Sequence, residues 1–285
     1  MRKSIKKGIT SLLMIGCIGW LYWGNESIQT TAYTVKDPAI TEALTGFTVV
    51  QVSDLHNKSF GKAQDKLMAK IQEAKPDLIA VTGDVVDSRR TNLSVALVFL
   101  EKAVNIAPVY YVPGNHEARI EEYEAFKTAM IDLGVEVLDN RAENMQVNDD
   151  VITIAGVEDP AFNVNGNHTE EAVIESAITN LALDREHFTL LLSHRPEMLD
   201  LYAKEKINLV LTGHAHGGQI RIPFVGGMIA PNQGILPTYT AGQFIENDTT
   251  MIVSRGLGNS LFPLRVNNRP ELVIATLQQE INNEK

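Results

Sequence analysis

Five times in this chain of 285 residues a short apolar run stops at a knot of Asp, His or Asn side chains. Residues 49–53 lead to Asp54 and His56, and residues 78–82 lead through Gly83 to Asp84 and Asp87. Residues 109–113 lead through Gly114 to Asn115, His116 and Glu117. Residues 190–193 lead to His194, and residues 209–212 lead through Gly213 to His214 and His216. Carboxylate, imidazole and amide oxygen together suit hard and borderline divalent cations. Seven such side chains exceed the needs of one ion but suit two, because a carboxylate with two oxygens can bridge them. A single His after a strand is ordinarily a hydrogen-bonded loop residue. The number of these knots and their shared placement make the case. Cys17, the only cysteine, lies elsewhere, so a metal site must be built from His, Asp, Glu and Asn.

For the knots to meet, the runs before them must be neighbouring strands, since α/β sheets bind ligands beyond the carboxyl ends of their strands. The pattern predicts strands at 47–52, 77–82, 108–112, 150–156, 188–193 and 207–212. Between them, 62–75 places Leu67 and Ile71 on one helical face, and 92–104 does so with Leu93, Ala96, Leu97, Leu100 and Val104. Stretch 170–181 does the same with Val173, Ile174, Ala177, Ile178 and Leu181. All three stripes are expected to be core. Strand–helix alternation predicts a layered α/β body. After Gly217 the pattern changes to short β runs at 219–222, 238–245, 250–254 and 271–277, which predicts a second sheet packed on the first. The glycines before Asp84, Asn115 and His214 suit backbones that turn sharply at a strand end.

The net charge is −10, but residues 1–30 carry four cations and one anion, leaving residues 31–285 at −13. An acidic body repels polyanions, so no nucleic-acid surface is expected. With 44% hydrophobic residues the chain can bury a full core, which excludes disorder. Basic residues at 2–7 precede residues 8–23, which carry no formal charge and end in Trp20, Leu21, Tyr22 and Trp23. As a helix this stretch spans roughly 24 Å against a hydrocarbon core of roughly 30 Å. Snorkelling Lys6 and Lys7 and the aromatic end could close that gap. The expectation is a single-pass N-terminal anchor in the cell membrane with the acidic body outside. Secretion after signal cleavage is the alternative, although Thr30-Thr31-Ala32 is a poor cleavage site. A lipoprotein box at residues 14–17 is disfavoured, because the apolar run continues past Cys17. The expected organisation is therefore an anchor or signal at 1–30, a polar linker at 31–46 and one domain at 47–285.

The order Asp-x-His, Gly-Asp-x-x-Asp, Gly-Asn-His-Glu, a lone His and Gly-His-x-His resembles the calcineurin-like metallophosphoesterase superfamily, over residues 47 to about 277. The block Gly-His-Ala-His-Gly-Gly-Gln followed by Arg221-Ile222-Pro223 is similar to its bacterial membrane-associated members. The resemblance implies a four-layer αββα sandwich of two mixed sheets around a dinuclear centre. It places Asp54, His56 and His216 on the first metal, Asn115, His194 and His214 on the second, and Asp84 between them. His116 would be the non-ligating histidine at the leaving group, with the Asp87 carboxylate against it fixing its tautomer. The implied reaction is hydrolysis of a phosphate ester by a hydroxide shared between two divalent ions, which manganese, iron or zinc could each provide. Asp87 is followed by Ser88-Arg89-Arg90 rather than the Arg-Gly of phosphoprotein phosphatases, and no Tyr replaces Asp87 as in purple acid phosphatases. The expected substrate is a phosphodiester, lipid-linked or envelope-derived, at the outer membrane face. The alternatives are a broad phosphomonoesterase and a non-catalytic metal-binding scaffold. Arg89, Arg90, Arg221 and Arg255 are expected to be solvated, and His168 and His187 to lie at the surface. Glu117 is open between a group supporting the site and a helix-start carboxylate.

Overall fold

The computed structural model describes residues 2–163, 168–260 and 262–280, with side chains from Lys6 onward. Met1, residues 164–167, Leu261 and residues 281–285, the end of the expected domain, lie outside them, as do the side chains of Arg2 and Lys3. The first sheet contains β1 (Gln29–Asp37), β2 (Thr48–Val52), β3 (Leu78–Thr82), β4 (Val109–Val112) and β5 (Glu136–Val137). The second contains β6 (Arg141–Val147), β7 (Asp150–Gly156), β8 (Phe188–Leu192) and β9 (Leu209–Thr212). Two small hairpins follow, β10 (Arg221–Ile222) with β11 (Gly226–Gly227) and β12 (Ile229–Ala230) with β13 (Gly234–Ile235). The chain then completes the second sheet with β14 (Gly242–Glu246) and β15 (Thr249–Val253), and returns to the first with β16 (Glu271–Gln279). The strand orders are β1-β16-β2-β3-β4-β5 and β14-β15-β9-β8-β7-β6.

Both sheets are mixed. Strands β2 to β5 run parallel, and β16 is antiparallel to β2 and parallel to β1. Strands β7, β8, β9 and β15 run parallel between antiparallel β6 and β14. The central strands are mostly apolar because both their faces are covered, with Gln51 of β2 a buried exception. In β3, Leu78 and Ala80 pack with Leu190, Leu192, Leu209 and Leu211 of the opposite sheet. Ile79 and Val81, one residue out of phase, pack instead with Leu67, Ile71, Leu100 and Phe126. Those four lie on the outer helices α2 (Asp65–Ala74), α3 (Leu93–Ala103) and α4 (Tyr123–Asp132). The far face of the second sheet is covered by α5 (Glu170–Asn180) and α6 (Leu199–Lys204), through Ile174, Ile178, Leu199 and Tyr202. Three apolar interfaces thus separate four layers, as the αββα expectation requires. Each fully buried Leu in them contributes about 1.5–3 kcal/mol from burial alone.

Three expectations need correction. Residues 31–46 are not a free linker. Residues 29–37 form the edge strand β1, paired with β16 over nine register positions, and Ile40 and Leu44 after it are fully buried. The second sheet begins at Arg141 rather than after Gly217, and the run at 271–277 belongs to the first sheet. The N-terminal segment forms one helix, α1 (Arg2–Glu26), but among the described residues no helix is long and apolar enough to cross a membrane. Asn25 and Glu26 at its end, with Lys6 and Lys7 at its start, leave the apolar stretch below a full span.

Candidate metal centre

All five knots lie beyond the carboxyl ends of β2, β3, β4, β8 and β9, and they meet. One donor atom from each of Asp54, His56, Asp84 and His216 lies within 4.8 Å of the others, and Asp84, His194 and His214 form a second such group. Asp84 belongs to both, so its carboxylate is placed to be shared between them. Its Oδ2 is 3.2 Å from His194 Nε2 and 3.6 Å from His56 Nε2. On the first side, His216 Nε2 is 3.4 Å from Asp54 Oδ1 and 3.1 Å from His56 Nε2. Every one of these side chains is buried.

The backbone is bent to bring them together. Asp54, His56, Asp84, His214 and His216 all have positive φ, between 45° and 65°. Such a conformation is uncommon for residues with a side chain and costs of order 1–3 kcal/mol at each position. Concentrated here, it marks a site that the rest of the fold holds under strain. Gly83 takes φ of +83°, and a Cβ there would meet the Gly114 nitrogen at 2.6 Å. Gly114 and Gly213 serve a different end from the expected sharp turn. Their φ is ordinary, and a side chain would strike Asp84 and Ser53 respectively.

The donors fit divalent cations. His194 Nδ1 donates to the Thr82 carbonyl at 2.7 Å, which leaves the Nε2 lone pair facing the Asp84 carboxylate. Two acceptors in a buried space repel one another unless a cation or a proton lies between them. Asn115 Oδ1 and His194 Nε2 are buried without a hydrogen-bond partner among the described residues. Two sets of nitrogen and oxygen donors sharing a carboxylate suit a dinuclear divalent site. Without the ions, protons take up the strain. Burial opposes charge on His194, but Asp84 and then Asp54 outweigh it, and its pKa rises to about 10. Burial pushes Asp54 up to about 6, and Asp84 adds to this. Burial pushes His56 and His214 down to about 3.

His116 stands beside the donors, with its ring centroid 4.6 Å from that of His56 in an edge-to-face arrangement. Its backbone N–H donates to Asp84 Oδ1 at 2.8 Å, so its position and that of the shared ligand are coupled. The expected Asp87 contact is different in kind. Asp87 Oδ1 is 3.6 Å from His116 Nδ1, beyond hydrogen-bond range, and the carboxylate is gripped by Arg89 Nε and Nη2 at 3.0 and 3.1 Å. The group on His116 Nδ1 is Ser88, whose backbone N–H donates to it at 3.1 Å. That bond fixes the neutral tautomer with the hydrogen on Nε2. Asp87 thus faces His116 at charge distance rather than through a hydrogen bond, and Arg89 is tied down rather than freely solvated. Arg255 is likewise paired, with Glu271 at 2.7 Å.

Four groups supporting the site carry weak sequence signals or none. Glu117 is completely buried and accepts from the backbone N–H groups of Asp84, Gly114 and Val86 at 2.8, 2.8 and 3.2 Å. It therefore ties the β3 and β4 loops together and is no surface helix cap. Burial and the nearby Asp84 charge push its pKa up to about 8 against those three donors. Arg195 is buried on Asp159, with Nη2 donating to Oδ1 at 2.8 Å, and it backs His194. Arg265, also buried, places Nη2 3.5 Å from His216 Nδ1 and donates to the carbonyl of Arg255 at 2.8 Å. Asn232, from the β12–β13 turn, sets Oδ1 3.2 Å from His214 Nε2. A cavity of about 600 Å³ opens over the donors, with His116, Arg89, Arg119 and Asn232 in its wall.

This arrangement has a family. Residues 47–218 match the calcineurin-like phosphoesterase family, and the matched region contains all seven donors and His116. The chain belongs to that family. It is 32% identical to the uncharacterized metallophosphoesterase YkuE of Bacillus subtilis, over 97% of each chain. It is 29% identical to the phosphodiesterase YaeI of Escherichia coli, over 81% of this chain and 82% of that one. A Bos taurus protein called a transmembrane protein with metallophosphoesterase domain is 27% identical over 98% of this chain and 63% of its own length. Among solved structures, TT1561 of Thermus thermophilus superposes with a TM-score of 0.52 at 16% identity, covering 75% of this chain and 91% of that one. That likeness is one of fold. Family and donor set together make the chain a metal-dependent hydrolase of phosphate esters.

Proposed function

We propose that this family member is a phosphodiesterase that works with two divalent ions at a membrane face. The carrying observation is the shared position of Asp84 between two donor groups, with His116 beside them and its Nδ1 taken by the Ser88 N–H. Manganese, iron or zinc suits the nitrogen and oxygen donors. Two such ions supply the positive charge that makes a water nucleophilic at neutral pH and offsets the charge of the phosphoryl transition state. The protein's part is to orient and to donate. His116 presents Nε2–H to the departing oxygen, and the Ser88 N–H on the opposite nitrogen keeps that hydrogen in place. Arg119 in the cavity wall offers positive charge to the far ester group, while Arg89 stays paired with Asp87. The name of the E. coli relative supports diesters, and the apolar α1 with the name of the bovine relative supports the membrane.

Two measurements test this. The full chain, loaded with manganese, is expected to hydrolyse an aryl phosphodiester faster than the matched monoester. A monoester preference would replace the reading with a phosphomonoesterase, and no turnover of either with two ions bound would replace it with a scaffold. His116→Ala is expected to lower kcat roughly 10²–10⁴-fold with metal content unchanged. Its backbone N–H to Asp84 survives the change, so loss of metal would remove His116 from the donor role.

A further inference from the structure

Between Gly217 and Phe244 the chain carries one formal charge, Arg221, where its average of 21% would give about six. This stretch forms the two hairpins β10–β11 and β12–β13, and it turns its apolar side chains outward. Phe224 is fully exposed, Ile235 is 79% exposed, and Val225, Ile229 and Leu236 are each more than half exposed. The outward aim is built in. Met228 N–H donates to the Ile220 carbonyl at 2.9 Å, Leu236 N–H to the Met228 carbonyl at 2.9 Å, and Arg221 Nη1 to the Gly217 carbonyl at 2.9 Å. The β12–β13 turn is pinned at the metal centre, where Asn232 Nδ2 donates to Glu170 at 2.7 Å and Oδ1 meets His214. The β12–β13 turn, with Pro231 and Asn232 in the cavity wall, therefore lies at the mouth of the site, and the hairpins extend from it as a fixed apolar rim.

The rim is joined to α1. Arg221 N–H donates to the Val266 carbonyl at 3.0 Å, and Asn267 Nδ2 donates to the Arg221 carbonyl at 3.3 Å. The adjoining Arg265 is held on both sides by Asn25 at the end of α1, which accepts from its N–H at 2.8 Å and donates to its carbonyl at 3.1 Å. In α1, the consecutive residues Leu12, Leu13, Met14 and Ile15 are each at least 60% exposed. At about 100° per residue four in a row point to every side of a helix, whereas a protein partner covers one stripe. A lipid interface takes such a segment without a matched stripe, and a helix whose apolar stretch is too short to cross the bilayer can enter it from one side.

We infer that the β10–β13 hairpins are a lipid-docking rim, which seats the mouth of the metal site on the bilayer so that it takes phosphate esters of membrane amphiphiles. The inference rests on the phosphoesterase reading and deepens it. Phe224 and Val225, at the β10–β11 tip, enter the acyl region, while the substrate phosphate at the headgroup level reaches the donors. The absence of carboxylates from the rim removes the charge that would hold it off an anionic surface.

The test uses the full chain with Cys17→Ser and Phe224→Cys, labelled at residue 224 with an environment-sensitive dye, and vesicles of phosphatidylcholine and phosphatidylglycerol free of other proteins. The expected result is a blue shift of the dye and its quenching by lipids labelled in the acyl chain. An unshifted dye on chains that float with the vesicles overturns the rim, because α1 alone then holds the protein, and it leaves a protein partner as the rim's occupant. In parallel, Phe224→Asp with Val225→Asp is expected to lower turnover of an alkyl-chain aryl phosphodiester held in those vesicles at least tenfold. Turnover of the water-soluble aryl phosphodiester should stay within twofold, since neither residue reaches the donors. Equal loss on both substrates overturns the rim. If the unsubstituted chain turns over neither substrate, the phosphoesterase reading fails, and the dye still decides docking by itself.

Discussion

Asp84→Asn is expected to lower kcat on a phosphodiester by at least roughly 10³-fold and to bring metal content below two ions per chain. Asp84 is the residue that joins the group of Asp54, His56 and His216 to that of His194 and His214, and in the second it is the only carboxylate. Asparagine would leave that group with neutral ligands alone. The first group retains Asp54, so the second ion should be lost first. The substitution is gentle in every other respect. Asn tolerates φ of 52° as well as Asp does, and its Oδ1 can still accept the His116 N–H. A folded variant that has lost an ion therefore isolates the charge. Metal analysis by mass spectrometry beside kcat decides the matter, and a variant with two ions and unimpaired turnover would show that Asp84 is not the shared ligand.

The strand-end knots were legible because their strands are central. A strand covered on both faces is one uninterrupted apolar run, and where it stops a polar knot stands out. The edge strands gave no such signal. In β1, Gln-Thr-Thr-Ala-Tyr-Thr-Val-Lys-Asp alternates half-exposed and exposed positions until its last residues and takes its order from β16, more than two hundred residues away. Strand β6, Arg-Ala-Glu-Asn-Met-Gln-Val, is polar for the same reason. Helix α4 did carry a stripe, Tyr123, Phe126 and Met130, which the alternation of strands and helices alone overlooked. The donors were legible by type and order, but their supports were not. Asp159 lies 36 residues from Arg195, and Arg265 lies 49 from His216, distances at which no spacing rule operates. The Asp87–His116 contact expected from the family resemblance gave way to Ser88, because backbone N–H groups leave no trace in residue type.

Stripped of metal, the chain is expected to lose stability as pH rises from about 6.5 to 9, and added manganese should restore more of it at the upper end. Two groups decide the sign. The pKa of His194 is raised to about 10, with the charge on Asp84 outweighing burial, so its stabilisation is complete below the unfolded value of 6.5 and drains away as pH climbs through 10. Glu117 is raised to about 8 by burial and by Asp84, so the folded chain holds a proton that the unfolded chain releases above 4.5. Its contribution also falls with rising pH, until about 8. His56 and His214 act in the opposite direction, but both lie near 3 when folded, and their effect is complete by 6.5. Asp54, raised to about 6 by burial, is spent below that point as well. Above 6.5 the two remaining contributions share a sign, and a fall in Tm on the order of 5 °C is expected. Bound cations require a neutral His194 and charged carboxylates, so they displace the same protons and bind more tightly as pH rises. Calorimetry of the chelated and manganese-loaded chain across this range tests the account. A stripped protein whose Tm is flat or rises toward pH 9 would mean that protons do not stand in for the ions between Asp84 and His194.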